Sequence, residues 1–162
     1  MEKSRVSSIP GSLRTEDAGK LSELVNGKNV LQFGCYCGRA LVVLARSAWA
    51  TWVLEDFLRP EGRDGAVGEL RANADRYFPE DAEVNLIYSP TPDTWVFPDG
   101  SRDLPEGGVD VVYRDADRWE DMREQDDLLA HELLARGGVY VWHDEERKLR
   151  WLQIEPTPAE VD

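Results

Sequence analysis

Short apolar runs alternate with amphipathic segments along most of the chain, and this alternation restricts the fold more than any other feature of the sequence. The apolar runs predict buried strands at residues 29–33, 51–54, 84–88, 109–113 and 139–142. The amphipathic segments predict helices at residues 15–25, 39–48, 64–78 and 122–136. Strands and helices in this order are typical of right-handed crossovers and of a twisted, mostly parallel sheet with helices on both faces. The predicted fold class is therefore α/β and Rossmann-like.

The same pattern predicts one domain over residues 1–162, with a polar lead-in at 1–14 and a tail at 156–162. The Thr15 hydroxyl is predicted to cap the first helix, and Gly137-Gly138 to end the last one. Residues 89–108 are rich in Pro, Asp and Gly and predict a loop, with a short turn near 95–97. After the fifth strand, only the four residues DEER precede the next predicted strand segment. Because so short a connection suits an antiparallel return, we expect residues 148–155 to add a short antiparallel edge strand.

The charge balance argues against several classes of partner. The 162 residues include 19 Lys and Arg but 32 Asp and Glu, and the resulting net charge of −13 repels nucleic acids and anionic membrane surfaces. No apolar run approaches the roughly 20 residues that span a bilayer. Cys35 and Cys37 are only two residues apart, so a disulfide between them would be strained and would not cross-link distant parts of the chain. This favours small, buried thiols in a reducing cytoplasm. The sequence therefore predicts a soluble, cytoplasmic protein.

A pair of glycines, Gly34 and Gly38, lies between the first strand and the helix that follows it. Glycine at both positions permits a tight turn, close approach of a ligand, and backbone N–H groups that point at an anion. The next strand ends in an acidic pair, Glu55 and Asp56, and Asp56 follows Gly34 by 22 residues. About 20 residues is the spacing expected when a carboxylate binds the hydroxyls of a ribose. The segment therefore predicts a site for a ribose-containing ligand.

Residues 30–56, VLQFGCYCGRALVVLARSAWATWVLED, resemble the class I S-adenosylmethionine-dependent methyltransferases. Within that class they look like the short G-x-Y-x-G group, which includes small-molecule and sugar O-methyltransferases. Downstream, VDVVYRDADRWED is similar to the group's fourth strand and D-x-D-H-x-Y-E segment, and LLARGGVYVWHD to its L-x-x-G-G-x-x-x-x-H-D strand. The resemblance covers residues 30–144. It implies that S-adenosylmethionine is the cofactor and that a small molecule is methylated, with oxygen as the expected acceptor atom.

The resemblance also implies roles for individual residues. It assigns Gln32, Gly34, Cys35 and Gly38 to the methionine end of the cofactor, Asp56 or alternatively Glu55 to the ribose, Ser89 to the surroundings of the adenine, and Asp115 to the reaction centre. Two positions depart from the pattern, because Gln32 replaces the usual acid and Arg118 the usual His. An uncharged Gln32 can still accept a hydrogen bond from the cofactor's ammonium, although more weakly than a carboxylate.

Two hypotheses for the chemistry remain open, and both use the ends of the fourth and fifth strands. In the first, His143 is a general base that Asp115 or Asp144 orients. In the second, Asp115 and Asp144 hold a divalent cation such as Mg²⁺, which lowers the pKa of an acceptor hydroxyl. A plainer interpretation is that the acids near Asp115 only favour the N-terminus of the following helix.

A second functional hypothesis belongs to a different class. The chain could be a noncatalytic, cofactor-binding or scaffold protein that keeps the fold, since Gln32, Arg118 and the short C-terminal strands depart from the group's pattern. An exposed sheet edge favours a homodimer. Most of the six Trp residues are expected in the core, except Trp95, which is a candidate lid over the acceptor.

Overall fold

The computed structural model describes residues 7–55, 64–91, 94–96 and 102–155. Within these ranges the chain forms seven strands: β1 Asn29–Phe33, β2 Ala50–Glu55, β3 Val84–Thr91, β4 Thr94–Val96, β5 Val109–Arg114, β6 Leu134–His143 and β7 Leu149–Gln153. The helices are α1 Thr15–Val25, α2 Arg39–Ser47, α3 Asp64–Tyr77 and α4 Arg123–Leu133, and a 3-10 turn at Glu120–Met122 precedes α4. None of the described helices is both long and apolar enough to cross a bilayer.

The strands form a single sheet in the order β4-β3-β2-β1-β5-β6-β7. Neighbouring strands from β3 to β6 pair in parallel, whereas β3 with β4 and β6 with β7 pair antiparallel. The predicted α/β class and the terminal antiparallel strand are therefore confirmed. The chain leaves β1 towards β2 and β3 on one side and returns to β5 on the other. In open α/β sheets such a change of direction creates a crevice at the carboxyl ends of the two central strands.

Successive residues of the central strands face opposite sides of the sheet, and each side carries its own core. Val30 packs on the side of α1 and α2, together with Leu21 and Leu44. Leu31 packs on the other side, in the cluster that contains Ala130 of α4. Because both faces are covered, β1 is buried along almost its whole length.

The fourth helix is shorter than predicted, and the strand after it is longer. Leu134, predicted to be helical, begins β6 and pairs with Val109, and the β5–β6 register then shifts before Val111. Gly138 lies in this irregular stretch, where a Cβ would be 2.9 Å from the Ala135 carbonyl oxygen. The two glycines therefore allow a bulge in a strand, and the expectation that they end a helix is wrong. A Gly-Gly pair after a helical pattern permits either geometry.

Three smaller expectations are also wrong. Residues 94–96 form β4 against β3, and no turn is formed there. The N-cap of α1 is Arg14 and not Thr15, and it provides no side-chain cap because a guanidinium has no acceptor for the backbone N–H groups. Of the six Trp residues, Trp52 is fully buried, but Trp49 and Trp151 are 74% and 47% exposed. The side chain of Trp95 lies outside the described residues.

Candidate functional site

A glycine turn lies at the carboxyl end of β1, in the crevice beside β5. Gly34 follows β1 directly, and its N–H donates to the Leu54 carbonyl at the end of β2, at 2.9 Å. The φ angles of Gly34 and Gly38 are 74° and 92°, in the left-handed region that favours glycine. Gly38 is the N-cap of α2, and its N–H donates to the Cys35 carbonyl at 2.7 Å. The loop thus folds back tightly at the start of a helix, as predicted from the two glycines.

Helix α3 supports the far side of this turn. A Cβ on Gly38 would lie 2.8 Å from Cδ1 of Leu70, so the end of that side chain would have to move to make space for a larger residue. The Asn73 amide donates to the Cys37 carbonyl at 2.8 Å. Neither Cys35 nor Cys37 forms a disulfide, and they are 1% and 4% exposed, which agrees with the prediction of small, buried loop residues.

Gln32 and Asp115 connect β1 to the loop after β5. The Asp115 N–H donates to the Phe33 carbonyl at 3.1 Å, which places Asp115 directly beyond the last residues paired between β1 and β5. The Gln32 amide nitrogen donates to the Gly34 carbonyl at 2.7 Å and to Oδ2 of Asp115 at 3.0 Å. These two acceptors fix the orientation of the amide and leave its carbonyl oxygen Oε1 buried without a hydrogen-bond partner. A buried acceptor is therefore available at the carboxyl end of β1.

Arg118 covers the other side of Gly34. Its Nε and Nη2 donate to the carboxylate of Asp126 on α4 at 3.1 and 3.2 Å, and its side chain is 2% exposed. Arg114 also donates to Asp126, at 3.0 Å, so a single carboxylate serves two buried guanidinium groups. A Cβ on Gly34 would lie 3.0 Å from Cδ of Arg118. The third nitrogen of Arg118, Nη1, is buried and has no hydrogen-bond partner.

His143 ends β6 and has a partner at each ring nitrogen. Nδ1 lies 3.2 Å from the Arg147 carbonyl, which can only accept, so Nδ1 carries the proton. Nε2 then accepts a hydrogen bond from the Tyr113 hydroxyl at 2.8 Å. Burial lowers the pKa of His143 below its usual value. Burial, and next the charge of Asp115, raise the pKa of Tyr113 well above its usual value. In this arrangement the imidazole is neutral, and neither nitrogen faces an open acceptor position.

Asp144 follows β6 and organises the turn to β7. Its carboxylate accepts from the N–H groups of Glu146 and Lys148, each at 2.9 Å, and from Arg150 Nε at 2.8 Å. The bond from the Lys148 N–H, with help from Arg150, lowers the pKa of Asp144. Among the described residues, no group of three or more His, Cys, Asp and Glu side chains is arranged to hold a metal ion.

The segment before α1 crosses the same end of the sheet. Ser12 donates to the carboxylate of Asp117 through both its N–H, at 2.8 Å, and its hydroxyl, at 2.6 Å. Nη1 of Arg39, the first residue of α2, donates to the Gly11 carbonyl at 2.8 Å. Ile9 and Leu13 are 2% and 3% exposed and anchor the segment in the core. Residues 9–13 therefore lie next to both the glycine turn and the loop after β5.

The structure brings only some of the sequence-predicted residues together. Gln32, Gly34 and Asp115 are joined by hydrogen bonds, and Cys35 and Gly38 complete the same turn. Glu55 and Ser89 belong to β2 and β3, whose registered pair Glu55 and Tyr88 lies at the same end of the sheet, but their side chains are not described. Asp56 lies outside the described residues.

Sequence reasoning missed the contributions of Asn73 and Asp126 to this site. Asp126 could have been found, because it lies four residues before Ala130 and these two are the buried residues of α4. A charged residue on the buried face of a helix requires a partner of opposite charge. No local pattern singles out Asn73.

Comparison with solved structures shows what class of protein has this fold. Neither a protein-family model nor a curated protein matches the sequence. Solved structures do match, and they show that the chain has the Rossmann-like fold of S-adenosylmethionine-dependent methyltransferases. The M. jannaschii tRNA m1G37 methyltransferase is among them, so the fold does not specify the acceptor.

Three structures illustrate the similarity. Cofactor-bound Rv0187 from MTB is 24% identical with a TM-score of 0.61, and the match covers 87% of this chain and 61% of that one. The O-methyltransferase from Bacillus cereus in complex with SAH is 20% identical with a TM-score of 0.57, covering 84% and 60%. The precorrin-6y C5,15-methyltransferase from Geobacter metallireducens GS-15 is 16% identical with a TM-score of 0.59, covering 84% and 67%. The chain spans about three fifths of the length of the first two.

Proposed function

We propose that this chain binds S-adenosylmethionine and transfers its methyl group to a small-molecule acceptor, at oxygen. The observation that carries the proposal is the turn at Gly34. It lies where the chain changes direction between β1 and β5, with Gln32 and Asp115 hydrogen-bonded across the crevice. Ligands of open α/β sheets bind at this position.

The residues around the turn fit the aminoacyl end of the cofactor. The buried, unpartnered Oε1 of Gln32 can accept a hydrogen bond from an ammonium group. Gly34, Cys35 and Gly38 provide a backbone that a ligand can approach closely. We assign the ribose to Asp56, with Glu55 as the alternative, and the adenine to the neighbourhood of Ser89.

The chemistry requires little of the protein, because the sulfonium of the cofactor already activates the methyl group. The protein must align the acceptor oxygen with that methyl group and remove the acceptor's proton where necessary. We assign proton removal to the carboxylate of Asp115, the titratable group that Gln32 connects to the turn. Its oxygens accept from the Gln32 amide and the Asp117 N–H, but each keeps a second lone pair that can take a proton. His143 and Asp144 are both engaged by protein partners, so a catalytic role for His143, or a divalent cation such as Mg²⁺ on Asp115 and Asp144, would first require displacing them.

Electrostatics support a small-molecule acceptor. A net charge of −13 repels the phosphate backbone of a nucleic acid before the two molecules come into contact. The resemblance of residues 30–144 to the motifs of the short G-x-Y-x-G group, which includes O-methyltransferases, supports oxygen as the acceptor atom.

The test is calorimetric titration of S-adenosylhomocysteine and NAD into the wild type, Asp56→Ala and Asp75→Ala. Asp75 is an exposed acid on α3 and serves as the matched control. We expect saturable binding of S-adenosylhomocysteine that Asp56→Ala weakens and Asp75→Ala preserves, with no comparable binding of NAD. A panel of hydroxylated acceptors with labelled S-adenosylmethionine then tests turnover. A wild type that binds NAD instead, or neither ligand, contradicts the proposal.

A second candidate is a protein that binds the cofactor without turnover. The engagement of both ring nitrogens of His143, and of both carboxylate oxygens of Asp115, favours it. Cofactor binding with no product from any acceptor, either alone or with added partner proteins, would support this candidate over the enzyme.

A further inference from the structure

We propose that Arg118 binds the carboxylate of the cofactor's aminoacyl end, and that it makes the site selective for ligands that carry this group. The inference rests on the proposed function and deepens it. It assigns a ligand-binding role to a residue that departs from the sequence pattern of the group this chain resembles.

The guanidinium of Arg118 has one edge bonded to Asp126 and one nitrogen without a partner. Nε and Nη2 form one edge of the group, and both are bonded to Asp126. Nη1 lies on the same side of the group as Cδ, by covalent geometry. The Cδ atom of Arg118 approaches Gly34, and it would lie 3.0 Å from a Cβ placed on that glycine. The unpartnered nitrogen is therefore on the Gly34 side of the guanidinium.

Two buried polar atoms without hydrogen-bond partners belong to side chains on either side of Gly34. Oε1 of Gln32 is a buried acceptor without a partner, and Nη1 of Arg118 is a buried donor without a partner. The Gln32 amide nitrogen donates to the Gly34 carbonyl, and the Arg118 side chain lies on the side of Gly34 that a Cβ would face, with its Cδ 3.0 Å from that position. A zwitterionic amino acid presents an ammonium donor and a carboxylate acceptor on adjacent bonds. The two groups are complementary to those two charges.

Burial makes the missing hydrogen bond of Arg118 costly. Arg114 and Arg118 share the single carboxylate of Asp126, and all three side chains are 5% exposed or less. Glu120 approaches Arg114 only to 4.0 Å and is exposed. A buried charged donor that lacks a hydrogen-bond partner is unfavourable, and an anion that accepts from Nη1 of Arg118 relieves that cost. A ligand carboxylate next to Nη1 would do this.

The experiment compares ligands that differ only at the aminoacyl end. S-adenosylhomocysteine, its decarboxylated analogue and 5′-methylthioadenosine are titrated calorimetrically into the wild type, Arg118→Gln and Arg71→Gln. Arg71 is an exposed arginine on α3 and serves as the matched control. We expect the wild type and the control to bind S-adenosylhomocysteine about tenfold to hundredfold more tightly than the decarboxylated analogue, the range for a hydrogen bond between charged groups. Arg118→Gln should reduce this ratio to nearly one and leave the affinity for the decarboxylated analogue unchanged.

The other outcomes contradict either the role of Arg118 or the proposed function. Equal affinity of the wild type for the first two ligands overturns the role of Arg118 and leaves the proposed function standing. Weakening of all three ligands by the same factor in Arg118→Gln shows that Arg118 only supports the fold, and also overturns the inference. Absence of binding of any of the ligands to the wild type contradicts the proposed function itself. If Arg118→Gln does not fold, the wild-type ratio and Arg118→Lys, which keeps the charge but not the planar fork, still test the inference.

Discussion

Gly34 is constrained both by its own backbone and by a neighbouring side chain. Its φ is 74°, and an added Cβ would lie 3.0 Å from Cδ of Arg118, a side chain held at its far end by Asp126. A residue with a side chain would therefore be strained and would also push on Arg118. We expect Gly34→Ala to lower the free energy of unfolding by about 1–3 kcal/mol, as measured by urea denaturation.

Gly19 provides the matched control for this prediction. It is an exposed residue within α1, and an added Cβ would meet no atom within 4 Å. Alanine favours a helix over glycine by about 0.5–1 kcal/mol, so Gly19→Ala should be neutral or stabilising. Equal effects of the two substitutions would show that the turn at Gly34 is not strained by a side chain.

His143 makes the stability of the protein depend on pH. Burial lowers its pKa in the folded state, whereas an unfolded histidine titrates near 6.5. Below that pH the unfolded chain takes up the proton first, so the stability that His143 contributes is present above pH 6.5 and is lost as the pH falls. Thermal unfolding between pH 7.5 and 5.5 should therefore show a falling midpoint in the wild type.

Two substitutions separate this effect from the titration of other groups. His143→Asn keeps a donor near the Arg147 carbonyl but cannot titrate, so its midpoint should depend less on pH. His131→Asn changes an exposed residue on α4 and should follow the wild-type trend. The explanation fails if His143→Asn retains the full pH dependence.

At the scale of elements, hydrogen bonds from Ser12 to Asp117 connect the segment before α1 to the end of the sheet that carries the candidate site. Ser12 donates its N–H and hydroxyl to Asp117, a contact between residues 105 positions apart. We expect Asp117→Ala to release the segment locally, because the replacement methyl group accepts neither bond. Amide exchange of the Ser12 N–H should become faster, while amides of β1 keep their protection.

Glu124→Ala is the control for this experiment, because Glu124 is an exposed acid at the start of α4. It should leave the exchange rate of Ser12 unchanged. Unchanged exchange of Ser12 in Asp117→Ala would mean that the other contacts of the segment, such as the bond from Arg39 to the Gly11 carbonyl and the burial of Ile9 and Leu13, hold it in place.

The elements show which parts of the structure local patterns can predict. The apolar runs located β1, β2, β3 and β5 to within a few residues, because burial on both faces requires continuous apolar sequence. The four-residue DEER connection predicted the β6–β7 hairpin, because only an antiparallel return fits so short a link. The bulge at the start of β6 could not be predicted, since it depends on the pairing of Leu134 with distant Val109.

In the candidate site, too, some contacts could be predicted from the sequence and others could not. Gly34 and Asp115 each follow a strand, and since β1 and β5 are parallel neighbours, their meeting could be predicted from the sequence. The bond between Tyr113 and His143, and the sharing of Asp126 by two arginines, could not. These contacts depend on side-chain orientation within the packed structure, which local spacing does not specify.

At the scale of the whole molecule, β7 is the end strand of the described sheet and leaves one row of backbone groups unpaired. Trp151 and Leu152 on this strand are 47% and 54% exposed. Charged residues often protect such edges, but here Arg150 pairs with Asp144 and Lys148 with Glu146 inside the hairpin, so much of that repulsion is neutralised. A second copy can pair its own β7 with this strand about a two-fold axis, which makes the interface self-complementary. We therefore predict a homodimer in which the β7 strands of the two copies pair, so that their sheets form one continuous sheet.

Light scattering after size-exclusion chromatography at micromolar concentration measures this assembly directly. The wild type should have the mass of two chains, and Leu152→Lys should have the mass of one, because it places two like charges close together across the two-fold axis. Trp49→Lys is the control, since it makes the same kind of change at a 74% exposed residue between α2 and β2. If the interface is β7, Trp49→Lys remains dimeric. A monomeric wild type, or a dimer that Trp49→Lys breaks and Leu152→Lys does not, would place the contact elsewhere or remove it.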